Sequence, residues 1–338
     1  MKKSTIRRVL GAAVALLPLS LLALTNPSSA ASTTTISVVG YSVVSSAFTS
    51  LENAFTNTAA GQGVTFTNSF GPSTTQAEDV VAGQPADVTV FSAVPDLNLL
   101  VGAGLVSKQW ASYPAAAVVK GFVTDSVVAI VVRAGNPLGI TGWNSLTKGG
   151  VQIVTPDPIS SGSARWNLLA AYESQIQQGR TKTQAKNYVN SLVANVVSEP
   201  TSGSKALTAF EDGTGNVLLA YEADAKAAVT AGQPLQIIDP AQNTLIQNPA
   251  ALTTTGLATP AAVAFFDFMF SRAGQTIWVN EGFRATESAM KSLKASSFYQ
   301  PKRLASVASL GGWGKVTATY FSPTGIITQI ENAHGYTS

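Results

Sequence analysis

The chain has 338 residues, of which 45% are apolar and only 12% are charged, and it contains no cysteine and one histidine. This length allows two domains with a sizeable core. The missing cysteine excludes disulfides, a thiol nucleophile and a thiolate metal site. The net charge of +3 comes from 21 basic and 18 acidic residues, but residues 1–30 hold four of the basic and none of the acidic ones, so the remainder has 17 against 18, or −1. Nothing in this balance indicates binding to nucleic acid or to an anionic membrane.

The first thirty residues have the pattern of a cleavable signal peptide. A basic start at residues 2–8 precedes an apolar run at 9–24, and small residues at 28–30 offer a cleavage site. A membrane anchor is the alternative, but the apolar run has 16 residues and contains Pro18, whereas a span needs about 20. Because no cysteine follows, the protein is predicted to be exported to the periplasm or outside, without a lipid anchor.

Strands and helices alternate along the rest of the chain. Short β-branched runs predict strands, and longer periodic runs that follow turn residues predict helices. In chain order, the pattern is a strand and helix within residues 34–55, 63–83 and 85–105, a strand at 125–133, a strand at 150–155, helices at 160–179 and 181–196, a strand and helix at 216–229, a strand at 235–238, and a helical tail at 258–283. This alternation predicts an α/β fold with a largely parallel sheet.

Small hydroxyl residues and glycines recur where these helices begin. In an open α/β sheet, ligands bind beyond the carboxyl ends of the strands. There, the unpaired N–H groups and the helix dipole favour an anion. Four such starts could converge on one anion without lysine or arginine. Helix capping, worth about 1 kcal/mol for each serine or threonine, is the alternative. The helix starts in question lie at residues 42–46, 73–75, 160–163 and 201–204.

Enzyme chemistry has little support in the sequence. The only histidine is His334, close to the end, and a serine nucleophile needs a base beside it. No Gly-x-Ser-x-Gly elbow, Walker motif or dinucleotide fingerprint occurs. The acidic residues lack metal spacing, and Glu222 and Asp224 are expected to favour the dipole of a helix start. We therefore predict a protein that is not an enzyme and uses no cofactor or metal.

Several blocks resemble the sulfate- and thiosulfate-binding proteins of ABC importers. The strongest, residues 131–173, contains a Gly-Asn-Pro turn, a Trp-x-x-Leu segment and the run Pro-x-Pro-x-Ser-Ser-Gly-x-Ala-Arg-Trp. Residues 215–225 and 311–330 are similar to two further family blocks, in the same order. The resemblance implies a two-lobed, type II periplasmic-binding-protein fold with the ligand cleft between the lobes. Lobe 1 would comprise residues 31–120 and 233–338, and lobe 2 residues 121–232.

The resemblance also implies a site built from uncharged donors. Ser73 and Ser161 would donate their hydroxyls, and Gly162, Ser163 and Gly203 their backbone N–H groups. Ser42 stands where the family usually has Asp, and its backbone donor survives the change. Tyr221 stands where sulfate binders have Trp, and a phenol can replace the indole N–H as a donor. The implied ligand-binding residues are Ser42, Ser73, Ser161, Gly162, Ser163, Gly203 and Tyr221.

Two basic residues lie near these positions. Arg165 is expected to pair beside the helix start and shape the pocket rather than touch the anion. Lys205 is expected to keep its charge in solvent.

Sulfate is the predicted ligand. It carries no proton at neutral pH and only accepts hydrogen bonds, so a buried acceptor facing it would be uncompensated. Ser42 in place of Asp removes such an acceptor. Thiosulfate, molybdate and tungstate share this property and stay open. So do two other classes: a periplasmic hydrolase using Ser161 or Ser73, and an interaction protein without a ligand.

The predicted partners are the oxyanion and the membrane permease of an ABC importer, with no nucleic acid and a monomeric state. No titrating side chain is expected to touch the anion, so sulfate affinity is predicted to be nearly flat between about pH 5 and 8.

Overall fold

The computed structural model describes residues 1, 33–286 and 297–336. Apart from Met1, the predicted signal peptide lies outside the described residues. The unit Thr33–Ser338 is compact. None of the helices described in it is long and apolar enough to cross a membrane.

Six strands form the first sheet, and they come from two separate parts of the chain. Five of them run in the order β11-β10-β3-β1-β2, and β4 also pairs with β10. β1 is parallel to β2 and β3, with Tyr41 opposite Gly71, so the carboxyl ends of β1 and β2 meet at one edge. The strands are β1 (Thr34–Tyr41), β2 (Val64–Gly71), β3 (Val88–Val90), β4 (Phe122–Ser126), β10 (Gln242–Leu252) and β11 (Arg303–Ser306).

The second sheet has five strands in the order β7-β6-β8-β5-β9. β6 is parallel to β7 and β8, whereas β5 is antiparallel to β8 and β9. The strands are β5 (Val128–Arg133), β6 (Ile153–Val154), β7 (Val196–Ser198), β8 (Val217–Tyr221) and β9 (Leu235–Ile238).

Helices connect the strands within each part of the chain. The two stretches of chain that supply the first sheet contain α1 (Ser45–Thr56), α2 (Ser73–Val81), α3 (Val94–Gly102), α8 (Thr254–Leu257), α9 (Pro260–Phe270) and α10 (Arg272–Asn280). Those that follow the strands of the second sheet are α4 (Gly162–Gln177), α5 (Lys182–Val193), α6 (Gly203–Glu211) and α7 (Glu222–Thr230). The last two are α11 (Trp313–Val316) and α12 (Ile326–Ala333).

The chain passes between the sheets near Val127 and again after Ile238. β4 ends at Ser126 in the first sheet and β5 begins at Val128 in the second. The prediction of one strand at 125–133 is therefore wrong, because the apolar run continues through the crossing. The α/β class is confirmed. The expectation of a largely parallel sheet is wrong, since β5 runs antiparallel to β8 and β9, β10 runs antiparallel to β3 and β4, and both sheets are therefore mixed.

Helix α4 is buried on nearly every side. From Gly162 to Gln175 every residue except Arg165 is buried, which explains why the middle of the helix, residues 168–171, is apolar on every face. Trp166 packs edge-on against Trp313, with ring centroids 4.9 Å apart. This packing fixes the position of the helix start.

The C-terminal segment packs against α4 and against β7 of the second sheet. Tyr320 donates a hydrogen bond of 3.0 Å to Glu173 in α4, and Tyr336 donates one of 2.8 Å to the carbonyl of Val196 in β7. The predicted lobe boundaries, at residues 120 and 232, lie shortly before β4 and β9 respectively.

Candidate anion-binding site

The start of α4 lies against the segment that follows β3. Ser161 precedes the first helical residue and is 2% exposed, and its side chain makes no capping hydrogen bond. A Cβ atom on Gly162 would lie 2.6 Å from Cβ and 2.7 Å from Oγ of Ser92. The first N–H groups of the helix have no acceptor within it. The hydroxyl of Ser161 and the N–H groups of Gly162 and Ser163 are therefore donors that the helix itself does not use.

Ser73 begins α2 but contacts Asp96. Its hydroxyl donates to Oδ2 of Asp96 at 2.6 Å and accepts from the N–H of Ser92 at 3.0 Å. Because a hydroxyl has one hydrogen, Ser73 has none left for an anion in this arrangement. In this arrangement the residue orients Asp96 and Ser92, and its role as a donor to the ligand stays a prediction.

Asp96 links α3 to α2 and to α4. It is 1% exposed and accepts from the hydroxyl of Thr74 at 2.9 Å and from Nη1 of Arg165 at 3.1 Å. The other donors of Arg165 bind the carbonyls of Pro158 and Ile159, at 3.0 and 3.1 Å. Arg165 thus pairs beside the helix start, as expected from the sequence, and holds the loop before α4. Lys205 is exposed, also as expected.

Tyr221 ends β8 with its hydroxyl in a buried hydrogen-bonded group. That hydroxyl lies 2.7 Å from Oγ of Ser92 and accepts from Nδ2 of Asn248 at 3.1 Å. Burial raises the pKa of Tyr221 well above its ordinary value, so the phenol keeps its proton. When Ser92 donates to it, that proton is available to a ligand.

Ser42, Gly203 and Ser163 meet on the opposite flank of the α4 start. Ser42 follows β1 and opens a 3-10 turn, and its hydroxyl accepts a long hydrogen bond of 3.4 Å from the N–H of Ser204. A Cβ atom on Gly203 would lie 3.1 Å from Oγ of Ser163 and 3.1 Å from a methyl of Val43. The start of α6 therefore lies against both the start of α4 and the turn after β1.

These contacts join all seven predicted residues into one group. Ser42, Ser73 and Ser92 come from the part of the chain that forms the first sheet, and residues 161–163, Gly203 and Tyr221 from the part that forms the second. The N–H of Thr74 donates 3.0 Å to the carbonyl of Ser160, which joins the two parts directly. The convergence follows from the topology, because parallel strands bring the helices after them to one edge.

Three residues of this group were missed in the sequence. Ser92 lies two residues after β3 and two before α3, so the rule applied to the other helix starts would have found it. Asn248 lies in β10, which the sequence pattern did not predict as a strand. Trp166 belongs to the family signature; its indole N–H donates 2.9 Å to the carbonyl of Ser92, a role that no sequence pattern indicates.

An acidic side chain lies beside the group. A cavity of about 100 Å³ is lined by Ser42, Ser204 and Asp224, among others. Burial, and then the charge of Glu211, raise the pKa of Asp224 to about 7. From the sequence, Asp224 is expected only to favour the dipole of the helix start. In the described part of the chain, no group of three His, Asp or Glu side chains could hold a metal ion.

Two mixed sheets joined by crossing segments, with helix starts that converge between them, define a binding protein of the periplasmic type. The chain belongs to the family of bacterial extracellular solute-binding proteins, which it matches over residues 36–284.

Individual relatives agree with this assignment. A sulfate-binding protein of Synechococcus elongatus is 32% identical over 306 residues, which cover 88% of this chain and 87% of that protein. A thiosulfate-binding protein of Pseudomonas aeruginosa is 29% identical over 278 residues, covering 80% and 83%.

Solved structures of other binding proteins have a similar fold. The sulfate-binding protein SubI from Mycobacterium tuberculosis H37Rv matches 86% of this chain and 100% of its own, with 39% identity and a TM-score of 0.81. A periplasmic thiamin-binding protein matches 89% and 96%, with a TM-score of 0.69 at 16% identity, and shows the fold alone. The predicted type II periplasmic-binding fold and the family resemblance are confirmed.

Proposed function

We propose that this protein captures a tetrahedral, fully ionised oxyanion, sulfate first, and delivers it to the permease of an ABC importer. One observation carries the proposal. The start of α4 is buried, the hydroxyl of Ser161 before it is not used for capping, and Ser163 in its first turn lies against the start of α6, beside the turn after β1. Unpaired N–H groups at helix starts bind anions without a formal positive charge. The sulfate-binding relatives and the likeness to SubI support the choice of ligand.

The hydrogen-bonding character of the group favours sulfate over phosphate. Its free groups are hydroxyls and N–H donors, and the carboxylate that contacts these residues, Asp96, is already occupied by Ser73, Thr74 and Arg165. A protonated oxyanion would find no free acceptor there, which costs binding energy. Thiosulfate is the second candidate, because the thiosulfate-binding relative covers most of the chain.

We infer that the two sheets belong to two lobes that close around the ligand. The crossings near Val127 and between Ile238 and Gln242 would serve as hinges. Contacts such as Thr74 to Ser160 and Asp96 to Arg165 would form on closure. Donors from both lobes reach the anion only in the closed state, so the ligand favours it. Solution scattering should show a smaller radius of gyration with sulfate than without.

The remaining properties follow from this role. The protein would be secreted by the signal peptide at residues 1–30, act as a monomer in the periplasm or outside, and need no cofactor. A hydrolase is less well supported, because Ser73 is bound to Asp96 and the single histidine contacts Asn190 at 3.2 Å. The proposed serine nucleophiles thus have no histidine base among their hydrogen-bond partners in the described residues.

Calorimetric titration with sulfate, thiosulfate, molybdate, tungstate and phosphate tests the function. Several neutral donors around a desolvated dianion should give a dissociation constant on the order of micromolar or tighter, roughly −8 kcal/mol. Phosphate should bind weakly. Millimolar constants for every oxyanion would contradict the proposal and favour an interaction protein without a ligand.

A further inference from the structure

Asp224 faces a cavity that it shares with Ser42 of the proposed anion site. The cavity has a volume of about 100 Å³ and lies where the turn after β1, the start of α6 and the first turn of α7 meet. Ser42 and Ser204, which are hydrogen-bonded to each other, form one wall, and Asp224 forms another. The carboxyl therefore lies on the rim of the anion site.

The Asp224 carboxyl is buried with one of its oxygens unpaired. The residue is 9% exposed, and its Oδ2 atom is buried and accepts no hydrogen bond. Burial of a carboxylate oxygen that accepts no hydrogen bond favours the neutral form of the acid.

The groups around Asp224 reinforce this preference. Glu211 in α6 acts on it through its negative charge. Glu281, just after α10, lines the same cavity and accepts hydrogen bonds from Ser46 and Ser50, at 2.7 Å each. The phenols of Tyr41 and Tyr221 feel the charge of Asp224 as well. No lysine or arginine is among the described residues that line the cavity.

The two protonation states of Asp224 act in opposite ways on an anion. The neutral acid adds no charge and can donate a hydrogen bond. The carboxylate adds a negative charge on the rim of a low-dielectric site, where repulsion of a dianion is poorly screened. It also introduces a free acceptor, which suits an oxyanion that carries a proton.

We propose that Asp224 is a specificity-determining residue of the anion site: its neutral form admits fully ionised oxyanions, and its ionised form weakens their binding. The inference rests on the proposed function. Burial and the charge of Glu211 raise the pKa of Asp224 to about 7. Asp224 therefore changes its protonation near neutral pH. The expectation of a flat affinity between pH 5 and 8 is replaced by one that falls as the pH rises through 7.

Calorimetric titration of sulfate at several pH values tests the inference on the full mature chain. We expect the dissociation constant of the wild type to rise about tenfold between pH 5.5 and 8.5. Asp224→Asn should bind with little dependence on pH. Asp212→Asn, which changes an exposed acid at the end of α6, should keep the dependence of the wild type. Sulfate itself does not titrate in this range, so the change belongs to the protein.

A second measurement needs no variant. If the neutral form of Asp224 binds sulfate better, binding near pH 7.5 must take up a fraction of a proton. Titration in two buffers of different ionisation enthalpy reports that uptake. Three results would overturn the inference and leave the proposed function intact. They are a wild-type sulfate affinity that does not change with pH, a pH dependence of affinity that survives in Asp224→Asn, and no proton uptake on binding. Absence of oxyanion binding at every pH would overturn both.

Discussion

Replacing Ser161 with alanine separates anion binding from helix capping. Ser161 occupies the capping position of α4, yet its side chain makes no capping hydrogen bond. A hydrogen bond to a charged group is worth about 1.5–3 kcal/mol, so Ser161→Ala should raise the dissociation constant for sulfate about 10- to 150-fold. The free energy of unfolding without ligand should change by less than about 0.5 kcal/mol, because no cap is lost.

Ser271→Ala is the matched control for this experiment. Ser271 caps α10, where its hydroxyl accepts 3.1 Å from the N–H of Gly274. Its loss should lower stability by about 1 kcal/mol, or roughly 2 °C in melting temperature for a chain of this size, and leave sulfate binding unchanged. Calorimetry and thermal unfolding of both variants provide the comparison. If Ser161→Ala melts as early as Ser271→Ala and still binds sulfate like the wild type, the serine is a cap and the reasoning is refuted.

Substitutions at three further positions test the site and the structure that supports it. Gly162→Ala puts a methyl group 2.6 Å from Cβ of Ser92, so sulfate affinity should fall about tenfold or more, and an unchanged calorimetric constant would refute the close approach. Asp96→Ala leaves Arg165 without its ion pair and should lower the free energy of unfolding by about 3 kcal/mol. Asp96→Asn should lower it less, so equal unfolding free energies of the two variants would contradict this. Burial raises the pKa of both Glu199 and Glu331 above the usual 4.5; the charge of Glu331 raises that of Glu199 further, and the charge of Asp157 raises that of Glu331. The folded state thus holds protons that the unfolded state releases, and stability should fall as the pH rises above that value. Melting curves from pH 5 to 9 should show a shallower fall in Glu331→Gln, and identical slopes would exclude the pair as the cause.

The parts of the fold that depend on local pattern could be predicted from the sequence. The strand and helix pairs up to α3, the long helix α4 and the strand before α7 all follow from runs of β-branched or periodic apolar residues. β10 could not be predicted in this way. It contains Pro249 and two buried asparagines, Asn243 and Asn248, which weaken a strand pattern. Its extended form depends on the three strands that pair with it.

The candidate site shows the same division. Helix starts with unpaired donors are local features, so the positions near Ser42, Gly162 and Gly203 could be read from the sequence. The hydrogen-bond partner of Ser73 could not, because Asp96 lies 23 residues away in the chain and only packing brings them together. Nor could the buried state of Asp224, since acids in the first turn of a helix are usually solvated and favour the dipole.

A crystal structure with one equivalent of sulfate, grown without other sulfate or phosphate, tests the central claim most directly. We predict one sulfate within hydrogen-bond distance, about 2.7–3.2 Å, of the hydroxyl of Ser161 and the N–H groups of Gly162, Ser163 and Gly203. Arg165 should still pair with Asp96, as it does at 3.1 Å here. A sulfate held instead by Arg165 or Lys205, away from the start of α4, would contradict the claim that neutral donors at converging helix starts bind the anion.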